Sequence, residues 1–241
     1  MDNLRKRMTL HLKPVYGPDF LNCPFMAGTN PTKQLEIIRG YFPELSSKQM
    51  HQYQHLDYLF RYWNERINLV SRQDTDNLFI HHVLHSLAIA RFMRFAPGTR
   101  VLDVGTGGGF PGIPLAIFFP DVEFLLVDVI EKKIQAVDVI YRTLALKNVS
   151  TRRIHAEMLR ERFDFAISRA VADLTTLYRW TAPLIRSDSA NDFPNGLIAL
   201  KGGSLVGELE QIRQPVYQFS LTDYYREPFF LDKYLIYLPA A

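Results

Sequence analysis

Residues 101–117 read VLDVGTGGGFPGIPLAI: a short apolar strand carrying one acid, then a burst of glycines, then an apolar run punctuated by prolines. Glycine at a strand-to-helix corner lets a backbone approach a ligand closely. Three chemistries use that: a dinucleotide pyrophosphate, a nucleotide triphosphate, and an adenosyl methyl donor without phosphate. Gly107, Gly109 and Gly112 satisfy G-x-G-x-x-G. Yet the strand ends at Gly105, and counting from there puts Phe110 where the third glycine of a dinucleotide site should be. Pro111 is also an odd guest where a helix must pack closely on a sheet. A triphosphate loop needs Gly-Lys-Ser/Thr, and no lysine follows these glycines.

The better match is V-L-D-x-G-x-G-x-G, the first motif of class I S-adenosylmethionine-dependent methyltransferases. This donor has no pyrophosphate, so no helix N-terminus need neutralise one. It asks for backbone lying flat beside a ribose and a methionine tail, where side chains would collide. A second anchor should be an acid ending the next strand, taking both ribose hydroxyls. Asp128 ends VEFLLVD, and 128 − 105 = 23 residues separate it from Gly105, close to the spacing of about 20 expected for an acid on a ribose. Asp128 could also cap the helix that follows, and the two roles are compatible. Asp103 sits inside a strand, where Asp is disfavoured. We read it as orienting the glycine loop, the alternative being a solvated or capping acid.

Elements must hold these residues in place. From Arg100 the chain alternates: strand RVLDVG, helix 112–119, strand VEFLLVD, and a helix over 130–146 with Ile134, Val137, Tyr141 and Leu144 inward. Strands VSTRRIHA and FDFAIS follow, then a helix over 172–184, strand GLIALKG and a short helix over 205–213. Repeated βα units predict a mostly parallel sheet with helices on both faces. VYQFSL and YLIYL have no helix between them and are predicted to form an antiparallel hairpin at one edge.

Ahead of the sheet, Ser46 and Gln49 form a capping-box pattern. Met50, Tyr53, Phe60, Trp63, Ile67 and Val70 then recur at helical steps, with Leu56 filling one gap. A second helix from near Asp76 places Phe79, Val83, Leu87, Ala90 and Met93 on one face and stops at Pro97-Gly98. The Tyr53, Phe60, Trp63 stripe is read as core rather than base-stacking. Three regions result: a loosely ordered leader over 1–33, a helical extension over 34–97, and the α/β domain over 98–241.

The bulk numbers agree with a globular protein: 241 residues, 47% hydrophobic and 22% charged. No apolar run approaches the roughly 20 residues a membrane helix needs. The basic start lacks a sustained apolar core and makes a poor signal peptide. Cys23 is the only cysteine, so there is neither an intrachain disulfide nor a cysteine zinc cluster. A soluble cytoplasmic protein is expected. Net charge +3 permits an RNA partner without demanding one.

With FDFAISRAVADL and IALKGG in order behind it, DVGTGGGFPGIPLAI closely resembles the bacterial small-subunit ribosomal RNA guanine-N7 methyltransferase family, also called glucose-inhibited division protein B. YWNERINLVSRQDTDNLFIHHVLHSLAIA resembles its helical lead-in, and the resemblance covers roughly residues 34 to 240. It implies a class I methyltransferase (Rossmann-like) fold, seven-stranded and mostly parallel, with S-adenosylmethionine as donor. It implies one guanine of small-subunit rRNA (16S) near the decoding region as substrate. Gly105, Gly107 and Phe110 would bind the donor with Asp128; Ala156 and Glu157 of HAEML would lie next to the adenine, and Arg169 at the end of strand four. The family often has an acid where this chain has His85 of HHVLHS.

Guanine N7 carries an exposed lone pair and needs no deprotonation before attacking a methyl group. The Asn/Asp-Pro-Pro-Tyr motif of exocyclic-amine methylation is absent: strand four ends in Ser168-Arg169-Ala170. The cysteine pair used for pyrimidine C5 is absent as well. Arg169 is expected to order cofactor and active site, and Lys201 to meet RNA; an ion pair with Asp173 and a solvated loop lysine are the bland alternatives. His81 and His85, at i, i+4 spacing, are read as packing, since a metal would want a third ligand. Lys132-Lys133, Arg152-Arg153 and Arg5-Lys6-Arg7 could touch phosphate or merely be solvated. Competing functions are a class I methyltransferase with another RNA or small-molecule substrate, and a non-catalytic ribosome assembly factor that binds the cofactor. The expected partner is small-subunit rRNA or the assembled subunit, and the expected state a monomer.

Overall fold

The computed structural model describes residues 33–70 and 72–240. The leader, apart from Lys33, lies outside the described residues, and with it Cys23 and the Arg5-Lys6-Arg7 run. Seven strands form one sheet: β1 (Arg100–Val104), β2 (Glu123–Asp128), β3 (Val149–Arg153), β4 (Phe165–Arg169), β5 (Gly196–Gly202), β6 (Tyr217–Ser220) and β7 (Lys233–Pro239). Their order is β3-β2-β1-β4-β5-β7-β6. The first five are parallel, and β7 runs antiparallel to both β5 and β6. Val101, Leu102, Phe165, Ala166 and Ile167 are fully buried, as strands covered on both faces must be.

The register decides where chemistry can happen. Val104 pairs with Val127 on one side and Ser168 on the other, so β1, β2 and β4 end at one level. The order turns outward in both directions between β1 and β4. That switch point opens a crevice at the C-terminal strand ends, where open α/β sheets bind ligands. The last two strands pair antiparallel at one edge of the sheet, as expected, but through a long connection rather than a short turn. β7 is an inner strand, and residues 221–232 connect it to β6 through two 3-10 turns, Leu221–Asp223 and Pro228–Phe230. Buried Tyr225 and Phe230 make that connection a small packed unit rather than a tight turn.

Helices α1 (Lys33–Tyr41) and α2 (Ser47–Ile67) form the lead-in. The capping box is realised: Ser46 and Gln49 exchange side-chain-to-backbone bonds at 3.0 and 3.3 Å. Tyr53, Phe60 and Trp63 are buried, and the Tyr53 hydroxyl donates to the Pro114 carbonyl at 2.8 Å. The stripe is core.

The second expected helix is instead three pieces: a 3-10 stretch Arg72–Asn77, a π-helical turn Leu78–Leu84, and α3 (His85–Phe92). Periodicity places the apolar face correctly but does not register the wider turn. There, consecutive His81 and His82 both reach Asp74, whereas successive residues of an α-helix point about 100° apart.

Helices α4 (Gly112–Phe118), α5 (Glu131–Thr143), α6 (Leu174–Thr181) and α7 (Val206–Leu209) cover the sheet. Asp173 caps α6 by accepting from the Thr176 N–H at 2.8 Å, so it is not the ion-pair partner of Arg169. Among the described residues no helix is long and apolar enough to cross a membrane.

Candidate active site

Two acids shape the glycine loop. Asp103 is fully buried; its Oδ2 accepts from the Thr106 hydroxyl at 2.6 Å and from the Gly112 N–H at 2.9 Å. Burial pushes its carboxyl up to about 7, against the pull of those two bonds. A carboxyl group therefore sits at the first turn of α4. A pyrophosphate would need that place in a dinucleotide fold, and the two acidic groups would repel. Asp103 orients the loop and closes the dinucleotide reading at once.

Asp128, at the tip of β2, accepts from the Gly107 N–H at 3.0 Å through Oδ2 and from the Ile130 N–H at 2.9 Å through Oδ1. It both pins the loop and starts α5, and each oxygen keeps a further lone pair for a hydroxyl. Gly105 has φ +67°, and a Cβ there would lie 2.5 Å from Val171 Cγ2, so no other residue fits the corner. Gly108 faces the lead-in: a Cβ would lie 2.8 Å from the Phe60 ring. Helix α2 is therefore part of what shapes the loop.

An open cavity of about 1020 Å³ lies over these strand ends. Toward β2 and β3 it is bordered by Gly105, Gly107, Asp128, His155 and Ala156. Toward β4, β5 and β7 it is bordered by Asp74, His81, His82, His85, Arg169, Phe229 and Lys233.

The second side is a chain of contacts. Arg169 donates from Nη1 to the His81 carbonyl at 3.1 Å and from Nη2 to His82 Nδ1 at 2.8 Å. Its guanidinium carbon lies 5.2 Å from the Phe110 ring centroid. Guanidinium has no acceptor, so His82 Nδ1 must carry a lone pair and Nε2 the proton. That proton is donated to Asp74 Oδ2 at 2.6 Å. Asp74 Oδ1 pairs with His81 Nδ1 at 2.5 Å, and the His81 ring stacks on Phe229 with centroids 3.9 Å apart. The two imidazoles hold the Asp74 carboxyl well below the usual carboxylate range. Burial lowers Arg169 to about 10, which leaves it cationic at neutral pH.

A family model described as rRNA small subunit methyltransferase G matches residues 46–224. The ribosomal RNA small subunit methyltransferase G of Porphyromonas gingivalis is 50% identical over 205 residues, covering 85% of this chain and 93% of that one. Its counterpart in Parabacteroides distasonis is 44% identical over 221 residues, covering 90% and 96%. The chain belongs to this family. Among solved structures, a SAM-dependent methyltransferase from Aquifex aeolicus aligns with TM-score 0.48 and 17% identity over 64% of this chain and 88% of that one. Family and sheet order together make the chain a class I, S-adenosylmethionine-dependent rRNA methyltransferase.

The residues present suit that donor. The loop offers glycine backbone and an acid with spare lone pairs, and the helix start that could hold phosphate is occupied by Asp103. Gly105, Gly107, Phe110, Asp128, Ala156, Arg169 and Lys201 all border the cavity. Glu157 is not among the bordering residues: its side chain is 48% exposed and lies 3.5 Å from His155 and 3.9 Å from Arg179. A 3-10 turn, Ala156–Met158, presents Ala156 to the cavity while the next side chain points elsewhere.

Lys201 corrects an expectation. It is only 9% exposed, and Nζ donates to the Ala172 carbonyl at 2.6 Å and to Glu208 at 2.8 Å. Glu208 also accepts from the Leu174 N–H at 2.8 Å. The ammonium expected to meet RNA is engaged in tying α6 and α7 to β5, and it is not a solvated loop lysine either.

Asp74, His82, Phe229 and Lys233 were missed in the sequence. No spacing rule links positions 74, 82, 169 and 229; only the π-helical turn and the inner position of β7 bring them together.

Proposed function

We propose that this chain methylates N7 of a specific guanine in small-subunit (16S) rRNA. The observation that carries the reading is the continuous cavity. One side suits an adenosyl donor, and the other holds a fixed cation and aromatic rings. N7 needs no base, so the protein's task is positioning and exclusion of water.

Gly105, Gly107 and Ala156 would lie against the donor, with Asp128 on its ribose hydroxyls. When bound, the donor supplies a sulfonium methyl, an electrophile. Arg169 is read as the cation that holds guanine O6 or a phosphate while leaving N7 free, since both acceptors share one edge of the base. His82 and Asp74 lock that guanidinium in place, which is preorganisation in the strict sense: the donors point before substrate arrives. The target base must be unpaired or swung out to enter. The lead-in over 34–97 would complete the substrate side and the domain over 98–241 would hold the donor. The enzyme is read as a cytoplasmic monomer acting on the rRNA or the small ribosomal subunit.

The test supplies labelled S-adenosylmethionine and small subunits from a strain lacking this methylation, and maps the label by nucleotide mass spectrometry. Label as 7-methylguanosine at one position, lost with Arg169→Ala, is the expected result. Donor binding without labelled rRNA would discard the reading in favour of another substrate or a non-catalytic assembly factor.

A further inference from the structure

His85 is 5% exposed and borders the cavity on its β4–β7 side. Its Nε2 is closed to solvent and has no hydrogen-bond partner. Phe229 and Phe230 stand edge-on to its ring, with centroids 5.6 and 6.0 Å away. Such an atom is costly in a folded protein unless something completes it.

The form of the ring can be worked out. Its polar contact to the His81 backbone favours the protonated ring, as a carbonyl acceptor does. With Nε2 unpartnered, that contact belongs to Nδ1, which therefore carries the hydrogen. Charged and titratable groups face His85 from three elements: Arg169 on β4, His82 on the π-helical turn and Lys233 on β7. Burial and these groups hold the imidazole neutral, well below its ordinary range. Nε2 is then a lone-pair acceptor and cannot donate.

We propose that His85 Nε2 accepts a hydrogen bond from the Watson–Crick edge of the target guanine, from N1–H or the N2 amino group, and is a specificity-determining residue. The inference rests on the guanine-N7 reading above and adds how the base is told from adenine. When N7 faces the methyl donor, O6 shares that edge while N1–H and the amino group lie on the other. Both are donors, and adenine offers an unprotonated N1 there instead. A lone pair fixed in an apolar frame accepts the first and repels the second. Phe229 is partly buried on the turn Pro228–Phe230 and covers Nε2 from one side, so the base would reach that atom by displacing this ring.

The experiment compares wild type with His85→Phe and His85→Leu, which remove the acceptor, and with His85→Asp and His85→Asn, which restore one. Each protein is assayed for kcat/KM on unmethylated small subunits and for donor affinity by calorimetry. The two acceptor-free variants should lose roughly 10- to 100-fold in kcat/KM with donor affinity unchanged. The two acceptor-bearing variants should recover most of it, which a merely structural role would not produce. Acceptor-free variants working at the wild-type rate, or all four equally impaired, would overturn the inference alone. Wild type that binds donor but leaves no 7-methylguanosine would overturn the functional reading and this inference with it.

Discussion

The two sides of the cavity are built by different means. The proposed donor side is local: Asp103, Gly105, Gly107 and Asp128 fall within one βαβ unit, where the two acids accept from Thr106, Gly107, Gly112 and Ile130. The proposed substrate side is assembled from distant pieces: Asp74 and the histidines from the lead-in, Arg169 from β4, Phe229 from the approach to β7 and Lys233 from β7 itself. A local site can be held by turn geometry alone. A site of distant parts holds only while every packed element stays in place, and it can change its selectivity one part at a time.

Substitutions should separate the sides. The largest effect is expected from Asp128→Ala. It removes the proposed ribose anchor and frees Gly107 and Ile130, so donor affinity by calorimetry should fall by about two to three orders of magnitude. Arg169→Ala comes next: methyl transfer to subunits should drop about 100-fold while donor affinity changes by less than about tenfold. Comparable losses of donor affinity in both variants would break the division. Phe229→Ala, which removes the ring stacked on His81, should raise KM for subunits by about tenfold and spare donor binding.

The smallest and sharpest test is pH. Asp103 is raised to about 7, so it stabilises the fold while protonated, fully below the ordinary 3.8 and progressively less as pH rises through about 7. Asp74 is lowered, so its contribution is present above 3.8 and is lost as pH falls below that. Denaturant melts of Asp103→Asn should show a flatter decline between about pH 4 and 7 than wild type. Melts of Asp74→Asn should show a flatter loss below about pH 4. Identical pH slopes in both variants would mean that the two carboxyls do not differ as their surroundings require.

Legibility in the sequence follows the same division. The glycine loop, Asp103 and Asp128 could be read because a motif, a strand end and a fixed spacing all act within a few residues of chain. The strands of the sheet were legible for the same reason, through alternation and turn residues. His82 was not, because its role depends on a π-helical turn that apolar periodicity tolerates without announcing. Lys201 was misjudged because its partners, Ala172 and Glu208, are supplied by crossovers rather than by neighbours along the strand. Glu157 follows Ala156 on a 3-10 turn and turns its side chain toward His155 and Arg179, an orientation that spacing along the chain does not give.

One consequence concerns β7, which enters the sheet against the direction of its neighbours. Parallel strands deliver their exits to the crevice, and those exits lead into crossover helices that the core cannot spare. An inverted strand delivers its entrance instead. Residues 221–232, arriving from β6, therefore reach the crevice without belonging to any crossover, held by their own buried Tyr225 and Phe230. Variation at the exposed positions of this connection would reach the proposed substrate side and leave the crossovers and the glycine loop as they are.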